Sequence, residues 1–185
     1  GRSIKVAVNL SQQSLLDETI HEEVARVLER HSMPAKALEI EITESALVTD
    51  LAAARNALER LAAQGIVLSI DDYGTGHSSL AHVRQLPVDC IKIDRAFVSH
   101  MDSDPANAAI VRSTVELARN LGMKIVAEGV EREEEWEMLR ELGCDFAQGF
   151  LVSKPIPAAR FIEWMDTNGD RYTGSRGPLP EFVST

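Results

Sequence analysis

The chain has 185 residues, 44% hydrophobic and 26% charged, a composition that fits one soluble globular domain and excludes a disordered or fibrous polymer. Its formal net charge of −10 repels polyanions, and no basic stripe is present to hold a polymeric nucleic acid; a small phosphorylated ligand can still bind where cations cancel the local charge. No run approaches the roughly 20 apolar residues of a membrane span, and "GRSIKVAVNL" lacks the apolar core of a secretory signal, so the segment is expected to be cytoplasmic without membrane contact, even if a longer parent is membrane-anchored.

Short β-branched runs alternate with amphipathic stretches along the chain. Strands are predicted at 5–10 ("KVAVNL"), 38–43 ("LEIEIT"), 67–71 ("VLSID"), 90–94 ("CIKID"), 124–129 ("KIVAEG") and 146–151 ("FAQGFL"). Helical patterns fall near 12–31, 51–64, 78–85, 106–121, 132–142 and 157–167. Gly65, Gly122 and Gly143 each stand where a left-handed C-terminal cap belongs, directly before a strand. Pro34, Pro87, Pro105 and Pro157 fall between elements. Such a βα series predicts a parallel sheet with helices outside it. Residues 168–185 lose periodicity and read as an irregular tail, leaving 1–167 as the domain. Cys90 and Cys144, near strand starts, read as reduced, buried thiols.

Side chains alternate faces along a strand. Val6, Val8 and Leu10 oppose Ala7 and Asn9; Ile40 and Ile42 oppose Glu39 and Glu41; Leu68 and Ile70 oppose Ser69 and Asp71. Ile91 and Ile93 oppose Lys92, Ile125 and Ala127 oppose Val126 and Glu128, and Gln148 opposes Ala147. If the aliphatic set packs on the helices, Asn9, Glu41, Asp71, Lys92, Glu128 and Gln148 converge at the C-terminal mouth of a (β/α) barrel. Any one of them alone also fits a solvated strand end or a locally paired polar group.

Asp71 and Asp72 close a buried strand with two like charges, which calls for a cation. With Glu41, Glu128 and the amide of Asn9 they make an oxygen-only donor set, suited to magnesium or manganese rather than zinc. So many acids suit two ions sharing an aspartate, an arrangement typical of phosphodiester hydrolysis. Lys92 then either stabilises charge on phosphate or simply pairs with an acid. The following "YGTGHSS" is expected to be a loop, with turn glycines Gly74 and Gly76, a surface His77, and Ser78 or Ser79 as N-cap of the next helix.

These segments, "VNLS" at Val8, "EITES" at Glu41, "DDYGTGHSSL" at Asp71, "LPVDCIKIDRAFV" at Leu86, "IVAEGVE" at Ile125 and "AQGFLVSKP" at Ala147, resemble the EAL family of cyclic di-GMP phosphodiesterases over about residues 5–165. The resemblance implies a TIM-like barrel that hydrolyses cyclic di-GMP to linear pGpG with two Mg2+ or Mn2+ ions. It implies Asn9, Glu41 and Asp71 as ligands of the first metal and Asp71, Asp72 and Glu128 as ligands of the second. Lys92 takes the place of the family's lysine beside the attacking water, so that Lys92 and Glu128 are the implied catalytic pair. Glu44 resembles the glutamate that anchors the loop after Asp72, and Glu131 and Gln148 match positions that touch substrate or support the ligands. A homodimer is expected by analogy alone.

The chain departs from the family in having no "EAL" or "EVL" tripeptide before "VNLS", and with it goes a first-metal glutamate and a phosphate-contacting arginine. About six βα units, with the first strands absent, do not close an eight-stranded barrel, so the isolated chain is expected to be weakly active or inactive. A catalytically silent cyclic di-GMP receptor, or a protein-interaction module on the same scaffold, is the alternative.

Overall fold

A computed structural model describes residues 4–47, 50–75 and 80–172. All six expected strands form: β1 Val6–Asn9, β2 Leu38–Thr43, β3 Val67–Tyr73, β4 Cys90–Ile93, β5 Lys124–Glu128 and β6 Phe146–Gln148. They make one parallel sheet in sequence order. Helices α1 Gln12–Leu15 and α2 Ile20–Arg30 join β1 to β2, α3 Leu51–Ala62 joins β2 to β3, and α4 Leu80–Val83 joins β3 to β4. Helices α5 Arg95–Val98 and α6 Pro105–Leu121 precede β5, α7 Glu133–Leu142 precedes β6, and α8 Ala158–Tyr172 follows it. This is an incomplete TIM-like (β/α) barrel, with β1 and β6 as its edges among the described residues.

Alternation along the strands sorts the interior as expected. Ile40, Ile42, Leu68, Ile70, Ile91, Ile93, Ile125 and Ala127 are buried with Leu58 and Leu61 of α3, Val111 and Val115 of α6 and Leu139 of α7. Each large aliphatic side chain so buried contributes about 1.5–3 kcal/mol. The outward set of β1 differs: Val6 and Val8 are 46% and 49% exposed. A crossover helix covers the groove between two strands, and an edge strand has one such groove where an inner strand has two.

Local chemistry explains the other departures. The 12–31 helix is two helices because the Asp17 carboxylate accepts from both the amide and the hydroxyl of Thr19, each at 2.8 Å, which offers the backbone an alternative to the helix. Pro105 is the first residue of α6, behind an Asp104 cap that accepts from the Ala106 amide at 2.9 Å, rather than lying between elements. Gly122 and Gly143 cap α6 and α7 in the left-handed conformation, whereas Gly65 sits in the turn beyond the Ala63 cap of α3. Helix α8 runs five residues past its expected end at 167, and the side chains of Thr167 and Asn168 bond back to the carbonyls of Glu163 and Trp164. Gly76, His77, Ser78, Ser79 and residues 173–185 lie outside the described residues. Among those described, no helix is long and apolar enough to cross a membrane.

Strand β6 stops at Gln148, and the next residue has no room for a side chain. A Cβ on Gly149 would lie 2.1 Å from the carbonyl oxygen and 2.3 Å from the nitrogen of Val130. Both groups are engaged, the Val130 amide donating to Gln148 and its carbonyl accepting from Leu151, each at 3.0 Å. Gly149→Ala is therefore expected to cost about 1–3 kcal/mol or more. In Gly122→Ala the added methyl meets nothing within 4 Å, so only left-handed strain of about 1–2 kcal/mol remains. Urea denaturation of the two variants should rank Gly149→Ala as the more damaging; the reverse order would refute this account.

Candidate functional site

Parallel strands place all their C-terminal ends on one side, so a polar side chain near the end of each reaches a common region. Glu41, Lys92 and Glu128 do this from β2, β4 and β5. Lys92 is 1% exposed, and its Nζ lies 2.6 Å from Glu41 Oε1, 3.0 Å from Asp71 Oδ1 and 2.6 Å from Glu128 Oε1. Burial alone would lower the lysine pKa; the charges of Glu128 and Glu41 outweigh it and hold the ammonium protonated well above its ordinary range. The carboxyls respond in the opposite sense to their burial. Glu41 and Glu128 are both pushed above the usual carboxylate range, against the pull of Lys92.

Asp71 and Asp72 are adjacent, and strict alternation would send them to opposite faces. The ladder between β3 and β4 shifts register between Ile70 and Tyr73, and Asp72 takes φ +54°, a left-handed conformation that costs a non-glycine residue about 1–2 kcal/mol. The result is that Asp71, Asp72 and Glu128 offer carboxylate oxygens all within 4.8 Å of one another. Burial, followed by a hydrogen bond to Asp94, raises the Asp72 pKa.

The loop after Asp72 is tied down by Glu44. This buried glutamate opens the short 3-10 turn Glu44–Leu47 and accepts from the Gly74 amide at 3.0 Å. Gly74 has φ +100°, and Phe97 stands where its Cβ would point. Gln148 ends β6 opposite Glu128 in the ladder, with its Oε1 buried and facing no hydrogen-bond donor among the described residues. Glu41 Oε1 and Asp71 Oδ1 are also shut off from solvent, and Lys92 compensates both.

The other two candidates stand further out. Asn9 pairs with Glu41 in the β1–β2 ladder and its side chain is exposed at the sheet edge. Glu131 is exposed on the loop after β5, its amide donating to Glu135 at 3.0 Å. Two acids escaped the sequence reading. Asp94 follows Lys92 by two residues, the spacing that keeps a side chain on the same face, and it meets Asp72 while capping α5 through the Ala96 amide at 2.7 Å. Glu135 carries a capping-box signature at the third position of α7. Cys90 and Cys144 are free and buried, and burial pushes both thiols up, Cys144 to about 12.

An oxygen-only donor set in which carboxylates outnumber the one lysine among them fits a hard divalent cation. Asp71, Asp72 and Glu128 could hold one such ion.

Known proteins share this arrangement of segments. The Pseudomonas aeruginosa bifunctional diguanylate cyclase/cyclic di-GMP phosphodiesterase MucR is 44% identical over 157 residues, 85% of this chain and 23% of that protein. The chain thus spans less than a quarter of that relative. The MucR phosphodiesterase in complex with c-di-GMP superposes with a TM-score of 0.81, covering 85% of this chain and 64% of the other. The EAL domain of Mycobacterium smegmatis DcpA, 40% identical, gives a TM-score of 0.85 over 90% of this chain and 75% of the other. Klebsiella pneumoniae BlrP1, in a manganese and cyclic di-GMP complex, is 33% identical with a TM-score of 0.77, over 82% of this chain and 39% of that one. The profile of the EAL domain matches residues 1–155, and that span holds all six strands and every acid of the cluster, so the chain belongs to the EAL domain family.

Proposed function

We propose that this chain is the greater part of a phosphodiesterase domain that hydrolyses one phosphodiester bond of cyclic di-GMP to give linear pGpG, with two Mg2+ or Mn2+ ions as cofactor. The observation that carries the reading is the placement of one buried lysine between Glu41, Asp71 and Glu128, beside Asp72. A binding-only module needs no such concentration of carboxylates. Solved relatives bound to manganese and to cyclic di-GMP support it.

In this reading Asn9, Glu41 and Asp71 hold the first ion, and Asp71, Asp72 and Glu128 hold the second, with Asp71 shared. The ions would supply positive charge to the phosphate and make water nucleophilic near neutral pH. Lys92, always charged in this setting, holds the attacking water and offsets charge that develops on phosphate. Glu44 fixes the loop that follows the aspartates, so that Asp72 keeps its left-handed conformation. Glu131 and Gln148 face substrate or support the ligands.

Incubation with cyclic di-GMP and Mn2+, followed by separation of products, tests the proposal. The natural full-length protein should form pGpG, and the 185-residue chain should form it more slowly, since Asn9 stands at an exposed edge. Binding without pGpG from the full-length protein would favour the receptor reading.

Lys92→Met should lower turnover about 100-fold or more. It also leaves acids uncompensated, at a cost of about 3–5 kcal/mol, so Mn2+ should raise the melting temperature of the variant by more than that of the wild type. Equal turnover, or an equal shift with metal, would refute the role given to Lys92.

The raised pKa values of Glu41 and Glu128 predict a pH dependence of metal affinity. Their protonated forms persist to higher pH than in an ordinary carboxylate, and a proton on either displaces an ion. Apparent Mn2+ affinity, measured by calorimetry, should therefore fall with acidification at a pH above the ordinary glutamate range of about 4.3. Constant affinity down to that range would contradict the prediction.

A further inference from the structure

Glu135 is 2% exposed and accepts four hydrogen bonds. The donors are the His100 amide at 2.9 Å, the Glu131 amide at 3.0 Å, the Arg132 amide at 3.1 Å and Arg132 Nε at 3.2 Å. Burial would raise this carboxyl, and the backbone donors from His100 and Glu131 more than reverse it, so it is held below its ordinary range. Capping α7 requires only the Arg132 amide. The bonds to Glu131 and His100 lie outside the helix and do something else: they join the loop after β5 to the segment after α5. His100 adopts φ +62°, a conformation that its bond to Glu135 helps to hold. Arg132 extends the tie from Glu135 to Asp102.

Both joined segments lead back to the acidic cluster. The β5 loop begins at Glu128, turns at Gly129 with φ +70°, and presses on α5 so closely that a Cβ on Gly129 would lie 2.4 Å from that of Arg95. Helix α5 is capped by Asp94, which meets Asp72. A shift of the β5 loop would therefore move Glu131 and the ground on which α5 and Asp94 rest.

We infer that Glu135 is a positioning residue of the site, a buried carboxylate that clamps the loop after β5 to the segment after α5 and so sets Glu131 and Asp94 relative to Asp72 and Glu128. The inference rests on the phosphodiesterase reading for its consequence in turnover, but the clamp itself does not.

Glu135→Ala and Glu135→Gln in the full-length protein test it by three measurements: amide hydrogen exchange, turnover of cyclic di-GMP, and thermal stabilisation by Mn2+. In Glu135→Ala, residues 99–104 and 129–132 should exchange faster together while the β4–β5 ladder keeps its protection. The kcat per folded molecule should fall about ten-fold or more, as expected when a reacting group is misplaced by about 1 Å. The Mn2+ concentration needed for stabilisation should stay unchanged, because Glu128 is held by the ladder and by Lys92, and the Asp72 backbone by Thr75, none of which Glu135 touches. Glu135→Gln keeps one acceptor oxygen in the same volume and should recover part of both exchange protection and kcat. A variant that melts earlier but keeps its kcat per folded molecule, or one in which only one of the two segments loosens, would overturn the inference. If the wild type makes no pGpG, the phosphodiesterase reading fails, and the exchange measurement alone decides whether the clamp exists.

Discussion

One buried ammonium among carboxylates sets the terms for the rest of the structure. Glu41 and Asp71 each place one carboxylate oxygen where water does not reach, and a charge buried there without compensation would cost several kcal/mol. Lys92 compensates two of them and Glu128 at once. It does so incompletely: one cation stands against Glu41, Asp71, Asp72 and Glu128, and burial still raises the pKa of Glu41, Asp72 and Glu128. A site left with this residual negative charge attracts cations by construction. The chain carries −10 overall, so the field of the whole molecule also favours cations and disfavours free anions at this place.

That charge can be gathered only because the sheet is parallel. Antiparallel neighbours would send alternate strand ends to opposite sides, and Glu41, Lys92 and Glu128 could not meet. Parallel register alone places one side chain per strand, and β3 contributes two. The extra one comes from the register shift after Ile70 and from the left-handed Asp72. The strain is sustained by neighbours: Thr75 donates through both its amide and its hydroxyl to the Asp72 carbonyl, and Glu44 holds Gly74. The site therefore depends on a locally unfavourable backbone kept in place by a buried glutamate on another element.

Much of this was legible in the residues. Alternation identified Ile40, Ile70, Ile91 and Ile125 as core and Glu41, Lys92 and Glu128 as their opposites, because the period of a strand is a property of the chain itself. Glycine after a helical run located the ends of α6 and α7 for the same reason. What was not legible depended on distant partners. No local signal in "VAVNL" says that β1 is an edge strand, so Val6 and Val8 read as core although they are half exposed. Asp94 was hidden because its place at the end of "CIKID" looks like a strand end, and only its approach to Asp72 shows what it touches. Glu135 was hidden for a stronger reason, since three of its four bonds are to backbone amides and one of those is 35 residues away.

The barrel interior holds a second buried acid that makes an instructive contrast. Glu39 lies two residues before Glu41 on the same face of β2, nearer the N-terminal end of the sheet, and is equally buried. It accepts from the hydroxyl of Ser69 and pairs with Lys5 at 3.8 Å. Glu41 instead shares the Lys92 ammonium with Asp71 and Glu128. Two acids of one strand, at the same depth, thus have different partners. The lower one is satisfied by its own chain, which makes it part of the fold. The upper one belongs to a group in which carboxylates outnumber the lysine they share, so burial is less fully compensated there. The excess of carboxylates over cations among the described residues thus lies at the C-terminal mouth, and residual negative charge is what a ligand can satisfy and a finished core cannot offer.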